Sequence, residues 1–161
     1  MTLIGAINKN NNKIIFADRK WQYSANDDYK KIFYDDKNNR FLLTSGFIIK
    51  TFTENFQDAK YKNIRSLIKE KSFLCYDFNE DSLNAYHVID NRFFESQIIN
   101  YAFLGYKAKE LQDSFDFMDV DHTLIPSLMF HHKKYPNYIG NEFDIIKIEN
   151  KTLVFLSARF G

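Results

Sequence analysis

The sequence predicts one α+β domain in which helices pack on antiparallel sheets, and three observations carry that expectation. Short β-favouring runs come in pairs joined by polar, Asn- and Asp-rich turns. Helical periodicity is confined to two stretches, one between the second and third pairs of strands and one before the last pair. The order is therefore strands, strands, helix, strands, helices, strands, a segregation that suits antiparallel sheets covered by helices and not the strict alternation of a parallel doubly wound sheet.

The elements follow in order. Thr2 to Ile7 and Lys13 to Ala17 read as a hairpin across an Asn-rich turn, since asparagine tolerates left-handed backbone. Arg19 to Tyr29 is polar and aromatic, and a second hairpin pairs Lys31 to Tyr34 with Arg40 to Ser45. Thr51-Phe52-Thr53-Glu54 has the spacing of a capping box, so a helix should begin there and continue through Phe56, Ala59, Ile64, Leu67 and Ile68. Phe73 to Phe78 and Leu83 to Ile89 form a third hairpin. Arg92 to Leu104 is apolar and stays open between strand and loop. Ala108, Leu111 and Phe115 mark a short helix, and Leu124 to His132 mark another, opened by Asp119 or Asp121 as cap, where Pro126 is cheap only in the first turn. Phe143 to Ile148 and Leu153 to Leu156 close the chain as a hairpin across Glu149-Asn150-Lys151.

Composition narrows the function. The 161 residues suffice for one self-supporting domain spanning 1–161, and seventeen Phe and ten Tyr supply a ring-rich core. Twenty-two Lys plus Arg nearly balance twenty-one Asp plus Glu, so no broad field attracts nucleic acid or an anionic membrane. A single cysteine, Cys75, forms no intrachain disulfide and no cysteine metal cage. No run approaches the ~20 apolar residues that span a bilayer, and Met-Thr-Leu-Ile-Gly-Ala-Ile lacks a basic leader, so the expected location is the cytoplasm.

The opening stretch is the most specific. Thr2-Leu3-Ile4-Gly5-Ala6-Ile7, a polar turn, and then Lys13-Ile14-Ile15-Phe16-Ala17-Asp18-Arg19 resemble the proteasome β-subunit family, which includes a bacterial ATP-dependent peptidase of double hexamers. Lys30-Lys31 followed by Phe41-Leu42-Leu43 and Ser45-Gly46, and the late Ile139-Gly140 before an apolar strand, extend the resemblance along the chain in the family's order. The resemblance implies a four-layer αββα sandwich, the N-terminal-nucleophile hydrolase fold. It implies Thr2 as nucleophile once Met1 is removed, Asp18 as carboxylate, Lys31 or failing it Lys30 as the base-tuning cation, and the Gly46 amide as oxyanion donor. It further implies a homo-oligomer that cleaves peptide or protein substrates, needs no cofactor or metal, and takes unfolded chains from a separate ATPase. The chain departs from the family where Tyr106 follows Gly105 in place of a Ser, and where Tyr135-Pro136-Asn137-Tyr138-Ile139 lacks the usual Asp and Ser.

A threonine hydroxyl at neutral pH needs an adjacent base, and a free α-amine of pKa near ~8 on the same residue can serve. Plainer readings stand beside these assignments: Thr2 as the first residue of a strand, Asp18 as a strand-ending cap, Lys31 as a solvated edge residue. The same fold without activity, kept as a binding or assembly module, and an enzyme that exchanges amide bonds are the alternatives. Asp119, Asp121 and His122 read as helix-capping residues before they read as metal ligands, and His131 and His132 suit a helix C-terminus.

Overall fold

The computed structural model describes residues 3–9, 12–20, 31–36, 38–44, 72–89 and 92–161. Strands β1 (Leu3–Lys9) and β2 (Asn12–Asp18) form the first hairpin, with Ile4 opposite Ala17 and Ile7 opposite Ile14. They lie at the centre of a five-stranded antiparallel sheet in the order β10-β9-β2-β1-β8, which also contains β8 (Tyr101–Gly105), β9 (Glu142–Glu149) and β10 (Thr152–Arg159). The second five-stranded sheet runs in sequence order, β3 (Ile32–Asp35), β4 (Arg40–Thr44), β5 (Ser72–Asp77), β6 (Ser82–Ile89) and β7 (Arg92–Gln97). All pairings in both sheets are antiparallel. Helices α1 (Ala108–Ser114) and α2 (Val120–Lys134) follow β8, joined by a 3-10 turn at Phe117–Asp119.

Side-chain alternation on the first sheet explains the layering. Leu3, Ile7, Ile14, Phe16, Phe143 and Ile145 point to one face, where they meet Leu111, Phe115, Val120, Leu124 and Leu128 of the helical segment. Ile4, Ala6, Ile15, Ala17, Ile146 and Ile148 point to the other, where they meet Phe41, Leu43, Leu74, Tyr76, Leu83 and Ala85 of the second sheet. A strand buried on both faces reads as an unbroken apolar run, and this is why β1 and β2 show no polar alternation. Three layers, helices on sheet on sheet, are thus in place, as expected of the αββα sandwich. The helix expected from Thr51 falls outside the described residues.

At Gly5 the first sheet has no room for a side chain. A Cβ there would lie 2.2 Å and 2.4 Å from Phe16 ring carbons and 2.7 Å from Phe103, two rings that meet edge to face at 5.3 Å.

Several expectations sharpen. The stretch left open, Arg92 to Leu104, holds two strands that belong to different sheets: β7 ends the second sheet and β8 edges the first. The crossover between them is pinned by Ile98 N–H to the Leu83 carbonyl (2.8 Å) and by Asn8 N–H to the Asn100 carbonyl (2.7 Å). Asp119 stands at the N-cap of α2 but makes no side-chain cap, because its carboxylate takes the His122 ring nitrogen at 2.7 Å instead. Pro126 lies in the interior of α2, not in its first turn, since the helix starts at Val120. Its ring is exposed, so the His122 carbonyl that loses a helical donor can face water. The last turn places Asn150 and Lys151 at φ 48° and 62°, the pair of left-handed residues that a two-residue hairpin of this twist requires.

A polar clamp ties the sheets at the end of β2 away from Asp18. Lys13 Nζ lies 3.3 Å from the carboxylate of Asp81, in the β5–β6 turn, and the Tyr76 hydroxyl donates to the same carboxylate at 2.5 Å. Partial burial works to raise the Asp81 carboxyl, but the Tyr76 hydrogen bond and Lys13 outweigh it and hold the group below its ordinary value of 3.8. A carboxylate held low contributes stability above the unfolded value and loses it as pH falls through the folded one. Asp81→Asn should therefore lower the melting temperature at pH 7, with the gap from wild type closing as the pH is taken well below 3.8; a gap independent of pH would show that the carboxylate charge is irrelevant. Gly5→Ala, which overpacks the two rings, should destabilise by about 1–3 kcal/mol in urea unfolding.

Candidate active site

The site grows from one carboxylate. Asp18 is the last residue of β2 and is fully buried, with 0% exposure. A buried charge of this kind persists only when its oxygens are paired and hydrogen-bonded. The Leu3 amide donates to Oδ1 at 3.1 Å and the Gly140 amide to Oδ2 at 2.9 Å. The Lys31 ammonium also donates to Oδ1, and it is itself only 1% exposed. That ammonium donates also to the Lys20 carbonyl. Lys31 precedes β3 of the second sheet, and its own carbonyl accepts from the Thr44 amide at 3.2 Å. The ion pair therefore bridges the two sheets at the end where β1 begins.

Each donor is placed by local structure. The Ile4–Ala17 rung of the β1–β2 ladder leaves the Leu3 N–H to turn to the side chain of Asp18. Gly140 ends the turn that breaks α2, and Ile139 beside it is fully buried. A side chain at 140 would be crowded: a Cβ would meet the Lys20 nitrogen and Cβ at 3.0 Å, with Asp18 Oδ2 at 3.5 Å. The late glycine noticed in the sequence is thus a direct partner of the carboxylate.

Beside the pair, Arg19 clamps Asp144 in fork geometry, Nε to Oδ2 at 2.9 Å and a terminal nitrogen to Oδ1 at 2.7 Å, and its second terminal nitrogen lies 3.7 Å from Glu142. The bidentate arrangement fixes the backbone just after Asp18 against β9. Asp144 carried no signal in the sequence, being 125 positions away from its partner; only the β2–β9 register, Ala17 opposite Asp144, brings the two together.

Of the residues expected at the site, Asp18 and Lys31 are brought together, both buried and in direct contact. Thr2 and Gly46, with Lys30, lie outside the described residues. Lys31 is no solvated edge residue, and Asp18 does end its strand, but as a fully buried carboxylate. Among the described residues no group of three or more His, Cys, Asp or Glu side chains is gathered closely enough to hold a metal ion, and no helix is long and apolar enough to cross a membrane. His131, expected only as a basic helix end, is buried, with Nε2 at 3.0 Å from the Tyr106 carbonyl.

No family model matches the chain, and no curated protein matches it. Among solved structures, the Gly-1 mutant of Anbu from Hyphomicrobium sp. strain MC1 is similar, with a TM-score of 0.64 at 14% sequence identity over 99% of this chain and 88% of that one. At that identity the likeness speaks for the fold, which is the proteasome-like, N-terminal-nucleophile sandwich.

Removing one member of a buried ion pair strands the other and costs about 3–5 kcal/mol. Lys31→Met should be destabilised by that amount in urea unfolding, and Asp18→Asn combined with Lys31→Met should recover part of it. Additive losses in the double-mutant cycle would mean that the two side chains do not interact.

Proposed function

We propose that the chain is a threonine-type amidohydrolase or peptidase that uses Thr2 as nucleophile after removal of Met1. The observation that carries this reading is the buried Asp18–Lys31 pair, joined through the Leu3 amide to the residue that directly follows Thr2. An apolar pair of the same volume would often hold a core as well or better, so a cation buried here points to a role besides aligning the sheets. Its value lies in what it does to a neighbouring base.

In the proposed mechanism the Thr2 hydroxyl attacks an amide carbonyl and the Thr2 α-amine takes its proton. The Lys31 ammonium, oriented by Asp18, disfavours protonation of that amine and keeps it able to act as a base near neutral pH. The Gly46 N–H holds the oxyanion of the tetrahedral intermediate, a contribution of about 3 kcal/mol for one well-aimed donor. Collapse passes the proton to the leaving amine and leaves an ester on Thr2. The same amine then takes a proton from water, whose attack releases the acid as that proton passes to the leaving Thr2 oxygen. No cofactor enters.

The reading includes a homo-oligomer acting on peptides, with a separate ATPase as the source of unfolded substrate. Support for self-association comes from β10, an edge strand whose Val154, Phe155 and Leu156 are exposed, Phe155 by 66%. Natural sheets rarely leave an apolar edge of this kind uncovered.

The test begins with intact mass. Protein made without an N-terminal tag should have lost Met1, and a peptide epoxyketone or β-lactone should then add its mass at Thr2, with no addition to Thr2→Ala. Lys31→Met, if folded, should label at least about tenfold more slowly. Retained Met1, or a mature N-terminus that no probe modifies, would favour the inactive binding module.

A further inference from the structure

Helix α2 has an outer face that the sandwich does not use. Val120, Leu124 and Leu128 pack it onto the first sheet, and the residues pointing the other way are exposed, turn after turn. They begin with an acidic turn at Asp121, continue through two apolar turns, Ile125 with Pro126 and Met129 with Phe130, and end in a basic turn at Lys133 and Lys134. The outward face of a helix on a globular protein is ordinarily polar. Here Ile125 is 44% and Phe130 61% exposed, and no Asp, Glu, Lys or Arg lies between Asp121 and Lys133. Contiguous apolar surface of this kind marks a place of contact.

The order of the turns says what covers it. A second α2 laid antiparallel on the first sets apolar turns against apolar turns, and it brings the acidic turn of each copy onto the basic turn of the other. The midpoint is level with Ser127, from which Asp121 and Lys133 lie equally far in opposite directions, about 9 Å along the axis. Ile125 and Met129 are likewise symmetric about it. The face is thus its own complement under a two-fold axis, which is the condition for an isologous interface. Its charges are also available. Lys134 is held by Glu110 at 3.2 Å, but Lys133 has no ion-pair partner among the described residues. Asp121 meets Lys147 at 3.5 Å with 78% of its side chain still exposed. Antiparallel packing further sets opposite ends of the two helix dipoles side by side.

We propose that α2 is a two-fold interface between copies of this chain, packed antiparallel about Ser127 with Asp121 of each copy opposite Lys133 of the other. The proposal takes up the self-association in the reading above and gives it a face and a symmetry, and it needs nothing from the chemistry at Thr2. A contact at the β10 edge extends a sheet, whereas this one pairs helix layers, so one oligomer can use both.

Charge reversal on the full chain tests the symmetry as well as the contact. Lys133→Glu sets acid against acid at both ends of the helix pair and Asp121→Lys sets base against base, so each variant alone should associate at least about tenfold more weakly in analytical ultracentrifugation. Mixed in equal amounts, the two should associate again, because every hetero-pair restores an acid–base match at both ends. Native mass spectrometry reads the mixed species directly, and its formation shows that both variants are folded. Phe130→Glu, which sets a charge in the middle of the apolar turns, should remove the association by itself. Single variants that associate as wild type does, or a mixture no tighter than its components, would overturn the interface. A monomeric wild type would overturn it too and leave the face to a different protein. Association lost in Phe155→Lys but kept in Lys133→Glu would assign the oligomer to the β10 edge instead. Each of these outcomes leaves the labelling of Thr2 untouched, so the hydrolase reading stands or falls separately.

Discussion

A carboxylate with no access to water must find its compensation inside the protein, and Asp18 finds it from three separate parts of the chain. The Leu3 amide comes from the first strand, the Lys31 ammonium from the edge of the other sheet, and the Gly140 amide from the turn between the last helix and the last hairpin. Because desolvation of a lone carboxylate costs several kcal/mol, these donors have to arrive together for the fold to be stable. The requirement fixes where β1 begins and how closely the chain at 140 approaches Lys20, and it places an ammonium between the sheets. The ends of three elements are held to a common point.

Strand β2 has a second anchor. Its Lys13 reaches Asp81 in the second sheet, and five residues later its Asp18 takes Lys31 from the same sheet. At about 3.3–3.4 Å per residue these anchors lie about 17 Å apart. Between them Ile15 and Ala17 pack against Phe41, Leu43 and Leu74 while Phe16 faces the helices. Dispersion and hydrophobic burial hold the layers together but tolerate sliding. Charged groups at both ends of one strand do not, and they set the alignment of sheet on sheet.

The rings that fill this protein divide by position. Phe16, Phe103 and Phe115 form an edge-to-face series under the helices and behave as core. Tyr106 and Tyr138 stack on each other and are partly exposed, with Tyr106 packed against the helix-side core. Where the family that the sequence resembles carries small polar side chains, this chain carries a matched pair of rings, so the two departures noted in the sequence are one structural feature. Tyr135 links that feature to the helices through Glu110, and the hydrogen bond to Glu110, ahead of burial, holds its hydroxyl above the ordinary range.

Much of the architecture was legible because strands and turns are written locally. Paired apolar runs, Asn-rich turns and the left-handed Asn150–Lys151 turn need only neighbouring residues, and they place eight of the ten described strands, seven of them within two residues at both ends and the last three residues short at Arg159. The α+β class followed from their order. In the site, Asp18 and Lys31 were legible through resemblance, but nothing local distinguished Lys31 from Lys30 or announced that the pair would be buried. Contacts across 122 and 125 positions, Gly140 to Asp18 and Arg19 to Asp144, were invisible. So was the division of Arg92 to Leu104 between two sheets. Periodicity reports which face of a segment avoids water; it does not report which distant segment covers that face. The sequence by itself thus determined the elements and their class, and the tertiary structure decided their partners, because a buried charge or an open sheet edge is satisfied by whichever group the closed fold brings within reach.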